Sequence, residues 1–327
     1  MSQQVKVSII CNVYNHEKYV ADALDGFVMQ RTNFPFEVLV HDDASTDNSA
    51  AIIREYEEKY PHIIKPIYQT VNQYSQKIDI TRTIQRARAQ GQYIAMCEGD
   101  DCWTDPLKLQ KQYDFMEANP EYTLCASSTV WHNVRTGVHE KQRGMTAQDR
   151  DVSLEEIILE EKGRIFQFAT FFLKADVWRA EPDWVYNFPV GDFPLALNCA
   201  LHGKVRMLAD VMAIYRFAAE GSWTVRSDND AIRAGTCRRM IEGLVAFNEA
   251  TAGAYAPYVT QRINRHKYTI ALMQHDLKAL RSPALREIFN GRSLKYRMND
   301  LFRCACPKLY NALGKPLAKV LKSYDRS

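Results

Sequence analysis

Short β-rich apolar runs alternate with helix-spaced segments through the first hundred residues of this chain, and few architectures accept that alternation. Residues 5–11 are nearly continuous in apolar and β-branched side chains, as a strand buried on both faces should be. Residues 36–41, 63–68 and 92–97 read as three further strands. Between them Tyr19, Val20, Ala23, Leu24, Phe27 and Val28 recur at helical spacing. Ile52, Ile53, Tyr56 and Tyr60 mark a second helix that Pro61 stops, and Ile80, Ile84 and Ala87 a third that leads to Gly91. Asp105-Pro106 offers a capping carboxylate followed by proline at a first helical position. This βαβαβ rhythm predicts an α/β fold, a Rossmann-like and mostly parallel sheet flanked by helices.

From Tyr122 the pattern is mixed, with strands expected over 122–130 and 167–173 and a helix over 193–201. Beyond it the chain reads as helical and increasingly basic, which divides it into a domain over 1–226 and a helical C-terminal extension over 227–327. The net charge is only +3, yet the segment 291–327 holds nine Lys/Arg against two Asp. Such a tail suits an anionic surface, for instance a membrane. Leu309, Leu313, Leu317 and Leu321 recur every four residues among Lys308, Lys315, Lys319 and Lys322, the pattern of an interfacial amphipathic helix. Packing of those leucines on the first domain or on a second subunit is the competing reading, and Pro316 interrupts the helix. The eight cysteines are scattered without a CxxC pair, which predicts free thiols in a reducing compartment. The N-terminal residues form no apolar signal segment, and no run approaches about 18 apolar residues, so a cytoplasmic protein is expected.

In an open parallel sheet, ligands bind beyond the carboxyl ends of the strands. Here those ends carry Asn12-Val13-Tyr14-Asn15, Asp42-Asp43-Ala44-Ser45-Thr46-Asp47 and Glu98-Gly99-Asp100-Asp101. Three segments thus deliver carboxylates and amides to one rim. Clustered carboxylates repel one another unless a cation is present, and Mg2+ or Mn2+ prefers oxygen ligands. A divalent metal bridging a diphosphate accounts for the cluster; for Asp42 and Asp43 alone, capping and turn roles would suffice. Residues 12–18 contain no glycine, which excludes both a dinucleotide fingerprint and a P-loop at that turn.

In this order and spacing VSIICNVYN (7–15), HDDASTD (41–47) and GQYIAMCEGDD (91–101) resemble the three N-terminal signatures of glycosyltransferase family 2, whose fold is GT-A. The similarity spans roughly residues 5–225. It implies that Asn12 and Tyr14 line the nucleoside base pocket, with Tyr14 stacking on a pyrimidine, and that Asp43 hydrogen-bonds the base. Glu98, Asp100 and Asp101 correspond to the DxDD form of the DXD motif, with Asp100 near ribose and metal and Asp101 the direct metal ligand. Glu98 is one methylene longer than the usual Asp. Asp192, in Pro189-Val190-Gly191-Asp192-Phe193, matches the segment of the catalytic base; taken alone it reads equally as a helix N-terminal acid. Ile214-Tyr215-Arg216 and Gly221-Ser222-Trp223-Thr224 resemble the next stretch, Arg216 contacting phosphates, although relatives carry a histidine where this chain has Ala218. Trp103 and Trp223 suit a sugar face or the core.

The resemblance implies an inverting, Mg2+- or Mn2+-dependent transferase that moves a sugar from a nucleotide-diphosphate donor, a UDP-sugar, to a glycan or lipid-linked acceptor in surface polysaccharide synthesis. A cytoplasmic location is expected, with peripheral contact to the inner face of the cell membrane where the basic tail docks there, and no nucleic-acid partner. Two rivals remain open. A noncatalytic nucleotide-sugar or glycan-binding module is suggested by Ala218 and Glu98, and a nucleotidyltransferase would also use an acidic α/β site but needs a Gly-rich basic loop that is missing here.

Overall fold

The computed structural model describes residues 4–141, 146–161, 163–217 and 229–310. Contacts divide the chain into two compact units, Met1–Pro182 with Val190–Val225, and Asp183–Pro189 with Arg226–Ser327.

The first unit is built on one sheet. Its strands are β1 (Val7–Val13), β2 (Phe36–Asp42), β3 (Ile64–Tyr68), β4 (Tyr93–Met96), β5 (Cys102–Trp103), β6 (Tyr122–Asn133), β7 (Val138–Lys141), β8 (Arg150–Asp151), β9 (Phe172–Lys174) and β10 (Lys204–Phe217). They run in the order β3-β2-β1-β4-β9-β6-β10-β5, with β7 on β6 and β8 on β10. The β3-β2-β1-β4 half is parallel, as is the β6–β10 pair. Antiparallel β9 joins these two halves. Helices α1 (Val20–Val28), α2 (Ser49–Lys59), α3 (Arg86–Arg88), α4 (Lys108–Ala118), α5 (Leu154–Leu159), α6 (Ala175–Arg179) and α7 (Asp192–His202) complete the unit. Val7, Ile9, Ile10, Cys11 and Val13 of β1 are all buried, which is why this central strand reads as a continuous run instead of an alternating one. Val20, Ala23, Leu24 and Phe27 form the buried face of α1, and the Phe27 ring meets Trp103 edge-on at 4.9 Å.

Two segments depart from the expected pattern. Instead of an ordinary third helix, residues Thr81–Gln85 form a π-helical turn that runs into the single turn of α3. Such turns often mark functional positions, and here Thr81 and Gln85 both reach Asn12. Within the expected strand over 167–173, Phe168–Thr170 is a 3-10 turn closed by the Thr170 amide and hydroxyl on the Gln167 carbonyl, so β9 begins only at Phe172. Asp105 does not cap α4: its Oδ1 accepts from the Leu107 amide at 2.8 Å in the turn ahead of the helix, which starts only at Lys108 with Leu107 at the capping position, so Pro106 is not its first residue.

Beneath the β4–β5 turn lies a buried lysine. Lys108 is 0% exposed, its Nζ donates to Gln112 Oε1 at 2.7 Å, and it stands 4.1 Å over the Trp103 ring. Gln112 Nε2 in turn donates to the carbonyls of Cys125 (2.8 Å) and Thr170 (2.9 Å), tying α4 to β6 and to the 3-10 turn. Burial pushes the Lys108 ammonium down to about 7. In the unfolded chain the same group holds its proton to about pH 10.4. Between those values the unfolded state binds more protons, so stability should rise with pH from about 7 upward. Unfolding midpoints at pH 7–10 are expected to climb in the wild type relative to Lys108→Met; parallel curves would assign the slope to other groups.

The described part of the second unit is helical after its 3-10 segment Asp183–Asn187, with helices Asp230–Ala250, Ala256–Met273, Leu277–Leu280, Pro283–Gly291 and Leu294–Ala305. Asn229 caps the first, accepting from the Ala231 amide at 2.8 Å. The segment Asp183–Pro189 belongs here because Trp184 packs edge-on against Phe247 at 5.1 Å, and a Cβ on Gly243 would lie 2.6 Å from the Phe188 ring. Buried Asp300 accepts from the Tyr268 hydroxyl at 2.6 Å and pairs with Arg292 at 2.9 Å. Leu313, Leu317 and Leu321 of the expected tail helix, with Lys315, Lys319 and Lys322, lie outside the described residues. No described helix is long and apolar enough to cross a membrane. All eight cysteines are free, and only Cys306 is exposed.

Candidate active site

The carboxyl ends of β1, β2 and β4 lie side by side, because β1 pairs in parallel with both neighbours. The chain turns sharply after β1 and β2 through left-handed residues, Asn15 (φ 55°) and Ala44 (φ 60°). The two turns are laced together. The Asn15 amide donates to Ser45 Oγ at 3.0 Å, and Asn15 Oδ1 accepts from the Thr46 amide at 2.8 Å. Gly99 lets the turn after β4 lie against β1: a Cβ there would come within 2.8 Å of Val13 Cγ2.

Asn12 is fixed on all sides. Its Nδ2 donates to Thr81 Oγ1 (2.8 Å) and Glu98 Oε1 (3.4 Å), and its Oδ1 accepts from Gln85 Nε2 (3.2 Å). Its amide donates to Glu98 Oε2 at 3.2 Å. Glu98 therefore directs both oxygens at Asn12. Burial, then the charge of Asp100, push the Glu98 carboxyl up to about 8 against those bonds. Tyr14 stands 46% exposed at the rim. Asp43 is buried, with its oxygens accepting from the amides of Gln73 (2.6 Å) and Tyr74 (3.1 Å).

Asp100 is half-buried and Asp101 only 4% exposed. Arg216 of β10 clasps this turn. Its amide donates to Asp101 Oδ1 at 2.8 Å, its Nη1 to the Asp100 carbonyl at 3.1 Å, and its Nη2 pairs with Asp22 of α1. Burial, then the charge of Asp100, push the Asp101 carboxyl well above its usual range, while Arg216 works the other way. Two adjacent acids held together with so little compensating charge suit a divalent cation. Among the described residues no group of three or more His, Cys, Asp and Glu side chains is arranged to hold a metal. Mg2+ commonly binds through one or two carboxylates plus substrate phosphates, so the pair Asp100 and Asp101 fits an ion completed by its ligand.

Asp192 opens α7, where its Oδ1 accepts from the Phe193 amide at 2.9 Å and its Oδ2 pairs with Arg164 at 3.1 Å. Tyr215 of β10 immediately precedes Arg216, and its ring meets Trp131 edge-on at 5.3 Å. Burial first, and then the charges of Asp101, Asp100 and Asp192, push its phenol up, with Arg164 pulling it down. Arg164, Tyr215, Gln85, Thr81 and Asp22 carried no assigned role in the sequence. Only Tyr215 lay inside a quoted motif. Arg164 sits in a connection without periodicity, and Asp22 looks like any exposed acid on a helix. Ala218 and Trp223 lie outside the described residues.

Comparison with known proteins gives this geometry a family. A family model described as Glycosyl transferase family 2 matches residues 8–177. The uncharacterized protein Rv1520 of Mycobacterium tuberculosis is 37% identical over 226 residues, 66% of this chain and 60% of the relative. The chain thus spans less than two thirds of that relative's length. Poly(ribitol-phosphate) beta-glucosyltransferase of Bacillus spizizenii is 32% identical over 116 residues, 35% of this chain and 18% of the relative. Among solved structures, S. aureus TarS 1–349 in complex with UDP-GlcNAc has a TM-score of 0.59 at 17% identity, covering 92% of this chain and 79% of TarS. Mannosyltransferase PcManGT from Pyrobaculum calidifontis, in complex with GDP-Man and Mn2+, has a TM-score of 0.55 at 15% identity, covering 95% and 88%. These two establish the shared GT-A fold. With the family match running over more than half of its length, the chain belongs to glycosyltransferase family 2.

Proposed function

We propose that this protein is an inverting transferase that moves a sugar from a nucleoside-diphosphate donor, a UDP-sugar, to a hydroxyl of a cell-surface glycan or its lipid-linked precursor. The observation that carries the reading is the acid pair Asp100 and Asp101 held by Arg216 at the rim of strand ends, with a separate carboxylate, Asp192, at the start of α7. An acid pair for a diphosphate and a separate carboxylate for a proton are what a single displacement requires.

Asp192 takes the proton from the acceptor hydroxyl as its oxygen bonds to the anomeric carbon. The bond from that carbon to the diphosphate breaks with its electron pair leaving on the diphosphate, and attack from the opposite side inverts the centre. Asp100 and Asp101 would hold Mg2+ or Mn2+, which supplies positive charge for the leaving diphosphate. Arg216 keeps Asp101 in place through its amide and brings a guanidinium to the same turn. Asn12 and Tyr14 form the base side of the donor site, Asn12 held rigid by Thr81, Gln85 and Glu98. Glu98 serves Asn12 and not the metal, since both its oxygens are turned to that residue.

The nucleotide-sugar class is supported by the UDP-GlcNAc and GDP-Man held by two proteins of the same fold. A polymer that offers hydroxyl groups as acceptor is supported by the Bacillus relative, a poly(ribitol-phosphate) beta-glucosyltransferase. A thermal-shift screen of UDP-, GDP- and CMP-sugars with and without Mn2+ tests the reading, because a ligand that binds only the native state stabilises it. A UDP-sugar should raise the midpoint more than the others, and only with the metal present. No shift with any donor would overturn the proposal.

A further inference from the structure

The helix Leu294–Ala305 has two apolar sides, and the second unit uses only one of them for packing. The packed side holds Asp300, bonded to Tyr268 and Arg292, and Cys304, buried in a cluster with Tyr268, Ala271, Leu280 and Leu285. Leu294, Met298, Leu301 and Ala305 follow one another at helical spacing along a different line. Leu294 is 71% exposed, Met298 60%, Ala305 is exposed and Leu301 half-buried. Past the helix the Tyr310 amide donates to the Cys306 carbonyl at 2.8 Å and its ring lies 5.9 Å from Phe302, which fixes a turn that carries Leu309, 50% exposed. Large apolar side chains exposed in a line mark a surface that something covers. The same stretch is strongly basic. Residues 256–310 hold eleven Lys/Arg against three Asp/Glu. Of those acids Asp300 is buried against Arg292, and Asp276 caps the helix Leu277–Leu280 through the Ala279 amide. Lys295 and Lys308, next in sequence to Leu294 and Leu309, are both exposed.

We propose that this side of the helix docks on a lipid bilayer surface rich in anionic headgroups, with Leu294, Met298 and Leu309 entering the headgroup layer and Lys295 and Lys308 held at the lipid phosphates. Charge and apolar line together select that occupant. An acidic polymer would use the charge and leave the leucines in water. A second copy would cover the leucines but set one basic surface against another. A lipid surface takes both, because lysine stems lie along the apolar layer while their ammonium groups stay at its polar edge. The inference depends on neither donor nor metal, and it would bring the protein to the lipid-linked acceptors of the reading above.

Flotation of the full chain with vesicles of phosphatidylcholine alone, and of phosphatidylcholine with about one quarter phosphatidylglycerol, tests the docking without any donor present. The wild type should float with the anionic vesicles at low salt, and its recovery should fall at high salt as the charges are screened. The pair Leu294→Gln with Met298→Gln should partition at least about 10-fold less, equivalent to ~1.4 kcal/mol. Lys295→Gln with Lys308→Gln should lose at least about 5-fold on the anionic vesicles and nothing on phosphatidylcholine. Both pairs change exposed side chains, so their unfolding midpoints should match the wild type. Equal recovery of the wild type and the Leu294/Met298 variant would overturn the proposal, as would wild-type binding that ignores the anionic lipid. Unchanged vesicle binding with a lowered midpoint in that variant would also overturn it, by showing that the protein covers the line itself. Unchanged vesicle binding with a smaller assembly in solution would overturn it in favour of a second copy.

Discussion

Asp101→Ala is expected to abolish sugar transfer, and Asp101→Asn to do nearly the same without unsettling the fold. Asp101 is almost wholly buried, and burial together with the charge of Asp100 disfavours its carboxylate. A buried charge is costly unless it is compensated, and positive charge from a divalent ion is what would offset it. Removing a directly coordinating carboxylate takes away roughly several kcal/mol of transition-state stabilisation. Alanine has a second effect, because it strands the Arg216 amide that now donates to Oδ1 at 2.8 Å. An unsatisfied buried N–H costs about 1–3 kcal/mol of folding stability. Asparagine keeps an oxygen for that amide and removes only the charge. Release of nucleoside diphosphate across a Mn2+ series, read beside the unfolding midpoint, separates the two effects. Both variants should lose turnover, and only alanine should lose stability. If the asparagine variant turned over like the wild type at every Mn2+ concentration, Asp101 would be there for Arg216 and not for a metal.

The sequence made legible what depends on neighbours along the chain. Strands β1 to β4 were readable within two residues, β1 and β4 because strands covered on both faces carry unbroken apolar runs, as Ile9, Ile10 and Cys11 do. The polar strand ends that bring Asn12, Asp43, Glu98 and Asp101 to one rim followed from the same reading, since parallel pairing puts the carboxyl ends together. What stayed hidden depends on contacts distant in sequence. The π turn at Thr81–Gln85 takes its sense from Asn12, some seventy positions earlier, to which both of its polar ends are bonded. Nothing local distinguishes that segment from a regular helix. Arg164 has no meaning until α7 brings Asp192 to it, and Asp22 none until β10 delivers Arg216. Asp43 is the instructive case. Its motif suggested a ligand contact, but the loop that the carboxylate binds through two amides can be seen only in the fold.

The second large effect is expected at Asp192, where two explanations of one carboxylate predict different losses. An acid at the first position of α7 favours the helix N-terminus by about 0.3–1 kcal/mol. Its pair with Arg164, whose side chain is 37% exposed, is screened by water and adds little. If Asp192 served only these ends, Asp192→Asn would lower the unfolding midpoint slightly and leave kcat where it was. A general base makes a different demand. The amide of asparagine is close in shape and can still accept from the Phe193 amide, which now lies 2.9 Å from Oδ1, but it takes no proton from an acceptor hydroxyl. Turnover should then fall by at least ~10²-fold, the low end of what a positioned base contributes. Donor affinity should hold, because Asp192 acts on the acceptor side while Asn12, Tyr14, Asp100 and Asp101 hold the nucleotide. Calorimetry with the donor and initial rates with the acceptor, on the same preparation, compare the two quantities directly. Collapse of affinity in step with rate would return Asp192 to a structural role in α7. Loss of kcat alone, with the midpoint within a degree or two of the wild type, would place the proton on Asp192, since a helix-end acid has no route to a hundredfold change in rate.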